Sequence, residues 1–214
     1  AAENGGIAGL TKDQLALYFL LLIPVNQFTY PQTNWTVGDV IRYGGISVWF
    51  LRPMAAIYNV LSTEIAGKVV TMSFAIPVTL IIGVVLRPTI EIQWVNVLWF
   101  LPSLAMTWLV RFFWGYWLAE LAFWAKNADS LLNLQDTLIF LLGGQLAPMV
   151  LLPDLLQKVA IYFPFRYMLG FSVEILTGQL GKQEILVGYL MQFFWMAAAI
   201  GLQQVLWKQG VRHY

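Results

Sequence analysis

Between Lys68 and Arg87 the chain runs VVTMSFAIPVTLIIGVVL, and between Glu184 and Lys208 it runs ILVGYLMQFFWMAAAIGLQQVLW, both without a charged residue. A hydrocarbon core about 30 Å thick takes roughly 20 apolar residues of helix to cross. Lipid offers backbone groups no partner, so such runs must be helices that satisfy their own N–H and C=O groups. Three more stretches share the pattern. Residues 14–31 centre on LALYFLLLIPV, residues 92–119 are interrupted only by Arg111 and crowded with tryptophan, and residues 131–150 carry Asp136 near their start. With 66–86 and 185–207 they make five expected spans. The fold class that follows is an all-α integral membrane protein, a polytopic helical bundle in one transmembrane domain.

Composition agrees with that class and removes several others. Charged residues are 11% of the chain and hydrophobic ones 59%, where a soluble domain carries about 25% charged residues. Twelve Lys and Arg against eleven Asp and Glu leave a formal charge of +1, so there is no basic face for nucleic acid. Cysteine is absent and the only histidine is His213. A disulfide, a thiolate metal site, a two-histidine metal site and a histidine-centred triad all need residues this chain lacks.

Orientation is weakly marked. With the end WKQGVRHY placed inside, Arg42, Arg52, Lys68, Lys126, Lys208 and Arg212 fall on the cytoplasmic side, and Lys12, Arg87, Lys158, Arg166 and Lys182 on the other. That is a slight lean by the positive-inside rule. The opening AAENGGIAGLTKDQ has neither an initiator Met nor a signal-peptide pattern, and the odd number of spans leads to the expectation that a further span precedes it in the full subunit.

The connections carry more pattern than a turn requires. Between the first two spans, residues 35–65 include Thr36 with Asp39 three positions on, in the form of an N-cap pair, then Gly44 and Gly45 as a stop. Pro53 suits a first helical turn. Ile57, Leu61 and Ile65 keep helical spacing, and Glu64 with Lys68 is a favourable i,i+4 pair. Two short helices are expected, either bridging spans along the interface or docking a soluble partner through charges such as Asp39 and Arg42. Later, LLGGQLAPMVLLPDLLQKVAIYFPF, residues 141–165, follows an apolar run with three prolines and a short amphipathic piece. Gly143 and Gly144 allow close helix approach, while Pro148 and Pro153 stop regular helix.

These pieces together resemble the permease subunits of type 2 ATP-binding-cassette (ABC) exporters, in their compact six-span bacterial branch. The matching stretches are GDVIRYGGISVWFLRPM, LAFWAKNADSL, GGQLAPMVLLPDLLQKVAIYFPFRYMLGFSVEILTGQ and LWKQGVRHY. The resemblance implies that the first connection is a coupling helix touching an ATPase, with Gly38, Asp39, Ile41, Arg42, Leu51, Arg52 and Pro53 as its residues. It implies that residues 148–180 form short re-entrant helices at an outer gate, with Gly143, Gly144, Pro148, Pro153, Pro164 and Phe165 as its key positions. It further implies a pathway lined by Asn26, Gln27, Tyr30, Asn133, Gln135 and Gln145, groups that could equally be interhelical hydrogen bonds. The partners implied are two ABC ATPase subunits, a second permease subunit, identical or paralogous, and membrane lipid. ATP and Mg would be bound by the ATPase. The location implied is the bacterial plasma (inner) membrane.

The residues themselves offer no catalysis. TGQLGKQE and IAGKVV each contain a Gly-Lys pair but lack the upstream glycine and the following Ser or Thr of a phosphate loop. Three ionisable residues fall in or beside spans, where charge is costly and often functional. Arg111 is a candidate intramembrane charge; Glu120 and Asp136, near expected helix ends, are expected to snorkel outward. A secondary transporter, which usually has a carboxylate at the midplane and an internal repeat, and a passive scaffold are the alternative classes.

Overall fold

A computed structural model describes residues 10–88, 92–125 and 128–214. Lys126, counted above for orientation, and residues 1–9 lie outside them. Five helices run alternately between two ends of the molecule. α1 (Lys12–Thr29) is opened by a reciprocal capping box in which the Thr11 hydroxyl accepts from the Gln14 N–H at 3.2 Å and the Gln14 side-chain oxygen from the Thr11 N–H at 2.9 Å. α2 (Thr33–Arg42) and α3 (Ile46–Phe50) form an elbow, and α4 (Ala56–Leu86) returns as one helix. α5 (Trp94–Glu120) comes back and ends in a 3₁₀ turn, Leu121–Phe123, and α6 (Ala128–Leu142) runs out again. At the far end lie a 3₁₀ turn, Met149–Leu151, the short helix α7 (Asp154–Tyr162), a second 3₁₀ turn, Pro164–Met168, and α8 (Gly170–Leu176). α9 (Lys182–His213) then returns to the α2–α3 elbow.

Among the described helices, three are long and apolar enough to cross a membrane: Ala56–Leu86, Trp94–Phe123 and Lys182–His213. α1 carries Lys12 and Asp13 in its first turn. α6 is shorter than the run 131–150 suggested, because Gly143 and Gly144 end it. Its 15 residues rise about 22 Å. Pro24, Pro77 and Pro102 all sit inside helices that continue through them. Each proline forfeits one hydrogen bond, and the apolar surroundings leave the chain no better partner than the rest of its helix.

α5 is the axis of the bundle and packs against α9, α8, α2, α6 and α1. Its aromatic run feeds two cores. Val110 joins Tyr18, Leu22 and Val25 of α1 with Ile139 and Val173 toward the far end. Phe112, Tyr116 and Ala119 join Val37, Ile41, Ile46, Val60 and Leu132 at the elbow end. α4 is the peripheral helix: its buried stripe is Ala56, Val60, Glu64, Lys68 and Ala75, while Val69, Phe74, Leu80, Val84 and Val85 are exposed.

The elbow region differs in detail from its sequence pattern. α2 begins at Thr33, so Thr36 is interior to the helix and does not cap it. One orphan donor of the first turn, the Thr33 amide, is met instead by Glu64 of α4, whose Oε2 accepts from it at 3.1 Å and from the Thr33 hydroxyl at 2.8 Å. Pro53 lies in a bend ahead of α4, whose N-cap is Ala55. Ile65 is 55% exposed, because the stripe through Glu64 and Lys68 takes the inner face. The Glu64–Lys68 pair does form, at 2.9 Å. The Lys68 ammonium also donates to the carbonyls of Gln27 and Tyr30, a cation at the C-terminal end of α1.

Candidate functional site

The α2–α3 elbow turns at Gly44, whose φ of +78° favours glycine. It is fixed from inside the protein. Arg42 donates to Asp129 at the start of α6 at 2.7 Å and lies 3.4 Å from Asp39. The hydrogen bond to Asp129 raises the guanidinium pKa further above its ordinary value. Gly38 passes beside α6, where an added Cβ would make only ordinary contact, 3.5 Å from Asp129 Oδ1. From the other side, Tyr214 Oη donates to the Gly44 carbonyl at 2.9 Å and lies 2.8 Å from Ser47 Oγ.

Of the expected coupling residues, the structure turns Gly38 and Ile41 inward, Ile41 being only 3% exposed. Arg42 is tied to α6. Asp39, Leu51, Arg52 and Pro53 face outward. Leu51 is 86% and Tyr43 78% exposed, and Met54 and Tyr58 are exposed as well. Arg52 is steadied by Asn59 at 2.7 Å. Tyr43, Met54 and Tyr58 were not singled out by spacing, because an apolar residue in so apolar a chain carries no signal until its exposure is known.

At the opposite end the glycines stand where backbones meet. A Cβ on Gly170 would lie 2.6 Å from the Gly143 carbonyl oxygen, and one on Gly144 2.3 Å from Tyr18 Oη. Gly144 has φ +82°, and its carbonyl accepts from Tyr18 at 2.9 Å in a buried site. Pro148, Pro164 and Phe165 are buried and Pro153 caps α7 from an exposed position. α7 presents Leu155 and Tyr162 outward, at 73% and 71% exposure.

α8 dips alongside α5, with every one of its residues buried. Ser172 lies 2.9 Å from Ser103 Oγ and 2.7 Å from Thr107 Oγ1, and Thr107 stands about 20 Å down α5 from Trp94 at 1.5 Å per residue. Gln192 of α9 closes the group, donating to Thr107 Oγ1 at 2.9 Å and to the carbonyls of Ser103 and Tyr167 at 3.3 and 3.4 Å. Nothing in the sequence joins these four side chains, which come from three helices.

Of the expected pathway residues, the structure gathers Asn26, Tyr30 and Gln135 and separates the rest. Arg111 donates to Asn26 Oδ1 at 2.8 Å, lies 3.8 Å from Asp136 Oδ1, and stands 5.0 Å from the Tyr30 ring centroid. Tyr30 donates to Asp136 at 3.3 Å and accepts from Trp35 Nε1 at 3.0 Å. Gln135 is buried, with Oε1 unpartnered. Gln27 and Asn133 are exposed and Gln145 half-buried, outside this cluster. Asp136 does not snorkel freely, since Arg111 and Tyr30 hold it. Glu120 is fully buried and accepts from Gln203 at 2.7 Å, which corrects the expectation of an interfacial carboxylate: the helix end it sits on is covered by α9.

One end of the protein thus carries exposed apolar residues on and beside a braced elbow, the other a set of short helices of which α8 is buried in the bundle, and charged and amide groups lie buried between. Comparison with curated proteins and with solved structures gives no match. A model of one protein family, described as ABC-2 family transporter protein, matches residues 2–214. The chain belongs to that family, and is a multi-pass membrane permease of an ABC transporter that associates with ABC ATPase partners.

Proposed function

We propose that this chain is one permease half of an ATP-driven exporter. Two such subunits, identical or paralogous, form the translocation pathway at their seam, and two ATPase subunits drive it from the elbow end. The observation that supports this reading is the exposure of four large apolar residues, Tyr43, Leu51, Met54 and Tyr58, and of the charged Asp39 and Arg52 within the stretch 39–58. Exposed apolar residues beside charged ones fit a protein or membrane contact, and the family's association with ATPases favours the protein. The positive-inside lean puts that end in the cytoplasm, where ATP and its Mg ion are bound by the partner. The segment from Met149 to Leu176 is then a re-entrant outer element, and Gly143, Gly144, Pro164 and Phe165 pack it against the bundle. The location is the inner membrane of a bacterium.

The test is co-purification and transport. The tagged chain, extracted in mild detergent, brings down a protein with a phosphate loop, and Leu51→Glu or Asp39→Arg removes it without lowering the amount of permease. In inverted vesicles the complex takes up its substrate with ATP and continues when proton and sodium gradients are collapsed. Uptake that followed an ion gradient and ignored ATP would overturn the ATP-driven reading.

A further inference from the structure

At the far end a cavity of about 400 Å³ lies between α1, the 3₁₀ turn Met149–Leu151, α7, α8 and the start of α9. Its wall is mixed. Leu10, Met149, Val150 and Ile161 supply an apolar side, and Arg166, Glu174, Gln179 and Glu184 a polar one. Val150 is 44% and Ile161 37% exposed, so the apolar side reaches the surface beside α7.

The polar side is incompletely satisfied. Arg166 spends both Nε and Nη2 on one oxygen of Glu174, Oε2, at 3.2 and 2.7 Å. Glu174 is only 2% exposed, yet its second oxygen, Oε1, has no hydrogen-bond partner. The Gln179 amide nitrogen, Nε2, is likewise buried and without an acceptor. A buried polar group left unpaired costs about 1–3 kcal/mol, more when charged, so two in one cavity point to a group that completes them. Charge says what kind. The lining holds one cation, Arg166, and two carboxylates, Glu174 and Glu184. The Arg166 charge already faces Glu174, and Glu184 caps α9 through the Gly181 amide at 2.7 Å. The balance is negative.

We propose that this cavity binds the head of an amphiphile carrying an ammonium N–H beside an oxygen acceptor. The N–H donates to Glu174 Oε1, the oxygen accepts from Gln179 Nε2, and the apolar tail leaves past Val150 and Ile161 toward lipid. An ethanolamine phospholipid head and a free amino-alcohol amphiphile share this chemistry. The inference does not depend on transport direction.

The test uses the complete permease–ATPase complex in nanodiscs of phosphatidylcholine, whose quaternary head has no N–H. N-dodecylethanolamine and dodecyltrimethylammonium are titrated calorimetrically. The first binds once per permease chain, at least tenfold more tightly than the second, which has the same tail and charge but neither donor nor acceptor. Glu174→Gln reduces that affinity at least tenfold. Because that change also weakens the pair with Arg166, Val150→Trp is the second variant: it fills the apolar mouth, leaves the ion pair in place, and lowers affinity to a similar extent. Equal binding of the two amphiphiles, or full affinity in Val150→Trp, overturns the proposal and leaves a cavity holding water only. Repeating the titration in phosphatidylethanolamine nanodiscs separates the sources. Loss of N-dodecylethanolamine binding there, with ethanolamine lipid retained on purification, supports the proposal and names the lipid; unchanged binding supports it with a free amphiphile as occupant.

Discussion

Arg111 of α5, 3% exposed at its side chain, points its guanidinium at Asp136 of α6, 3.8 Å away, while Asn26 of α1 accepts from the same group at 2.8 Å. Three helices are joined through one cation. Removing one member of a fully buried pair costs about 3–5 kcal/mol, whereas replacing both with apolar side chains is often neutral; with Asp136 30% exposed, the cost here falls below that range. Arg111→Met should therefore lower the melting temperature of the purified protein by several degrees, and Arg111→Met with Asp136→Leu should recover most of it. Strictly additive losses would mean that the two residues act separately.

The elbow gives a second pair to exchange. Arg42 and Asp129 meet at 2.7 Å between α2 and α6. Arg42→Glu should depress ATPase activity of the complex, and adding Asp129→Arg should restore part of it. If Arg42 served mainly by touching the ATPase, the double variant would be no better than the single one.

Glycines sort sharply by their surroundings. Gly144 needs a positive φ and leaves 2.3 Å between a Cβ and Tyr18 Oη, whereas Gly201 in α9 has nothing within 4 Å. Gly144→Ala should destabilise by about 1–3 kcal/mol, combining overpacking with backbone strain. Gly201→Ala should be neutral or stabilise by up to about 1 kcal/mol, as expected for a helix interior. Melting curves of the two variants side by side check both.

The chain has no cysteine, so a single introduced thiol reports on α8 without background. Ile175 is fully buried, and Ile175→Cys should react slowly with a maleimide. Adding Gln192→Leu removes the amide that ties Thr107, Ser103 and Tyr167 together. Hydrogen bonds within membranes are worth about 0.6 kcal/mol each on average. Labelling should quicken several-fold; an unchanged rate would show that α8 is held by packing alone.

What the sequence disclosed was what repeats along a single helix. Charge-free runs located the long helices, and Glu64–Lys68 was readable because its partners are four residues apart. Arg111 was visible as an oddity, but Asp136, Asn26 and Tyr30 come from other helices, and no spacing rule joins them. Thr36 misled for the same reason: its pattern matches a cap, yet the helix starts at Thr33, where Glu64 from α4 accepts from the first amide. Glycines and prolines of the outer segment were informative as punctuation. Which of them pack, as Gly143 does on Gly170, and which stay exposed, as Pro153 does, is settled only by the neighbours they meet.

α9 runs unbroken for 32 residues, about 48 Å at 1.5 Å per residue. Gly188, about two turns into it, carries the Phe171 ring of α8, and Tyr214 just past its end bonds the elbow. A hydrogen-bonded helix without an internal proline stretches and shortens very little, so it works as a pushrod. Whatever distance the elbow is driven along that axis arrives at Gly188 almost undiminished, and the short helices there receive the stroke by direct abutment.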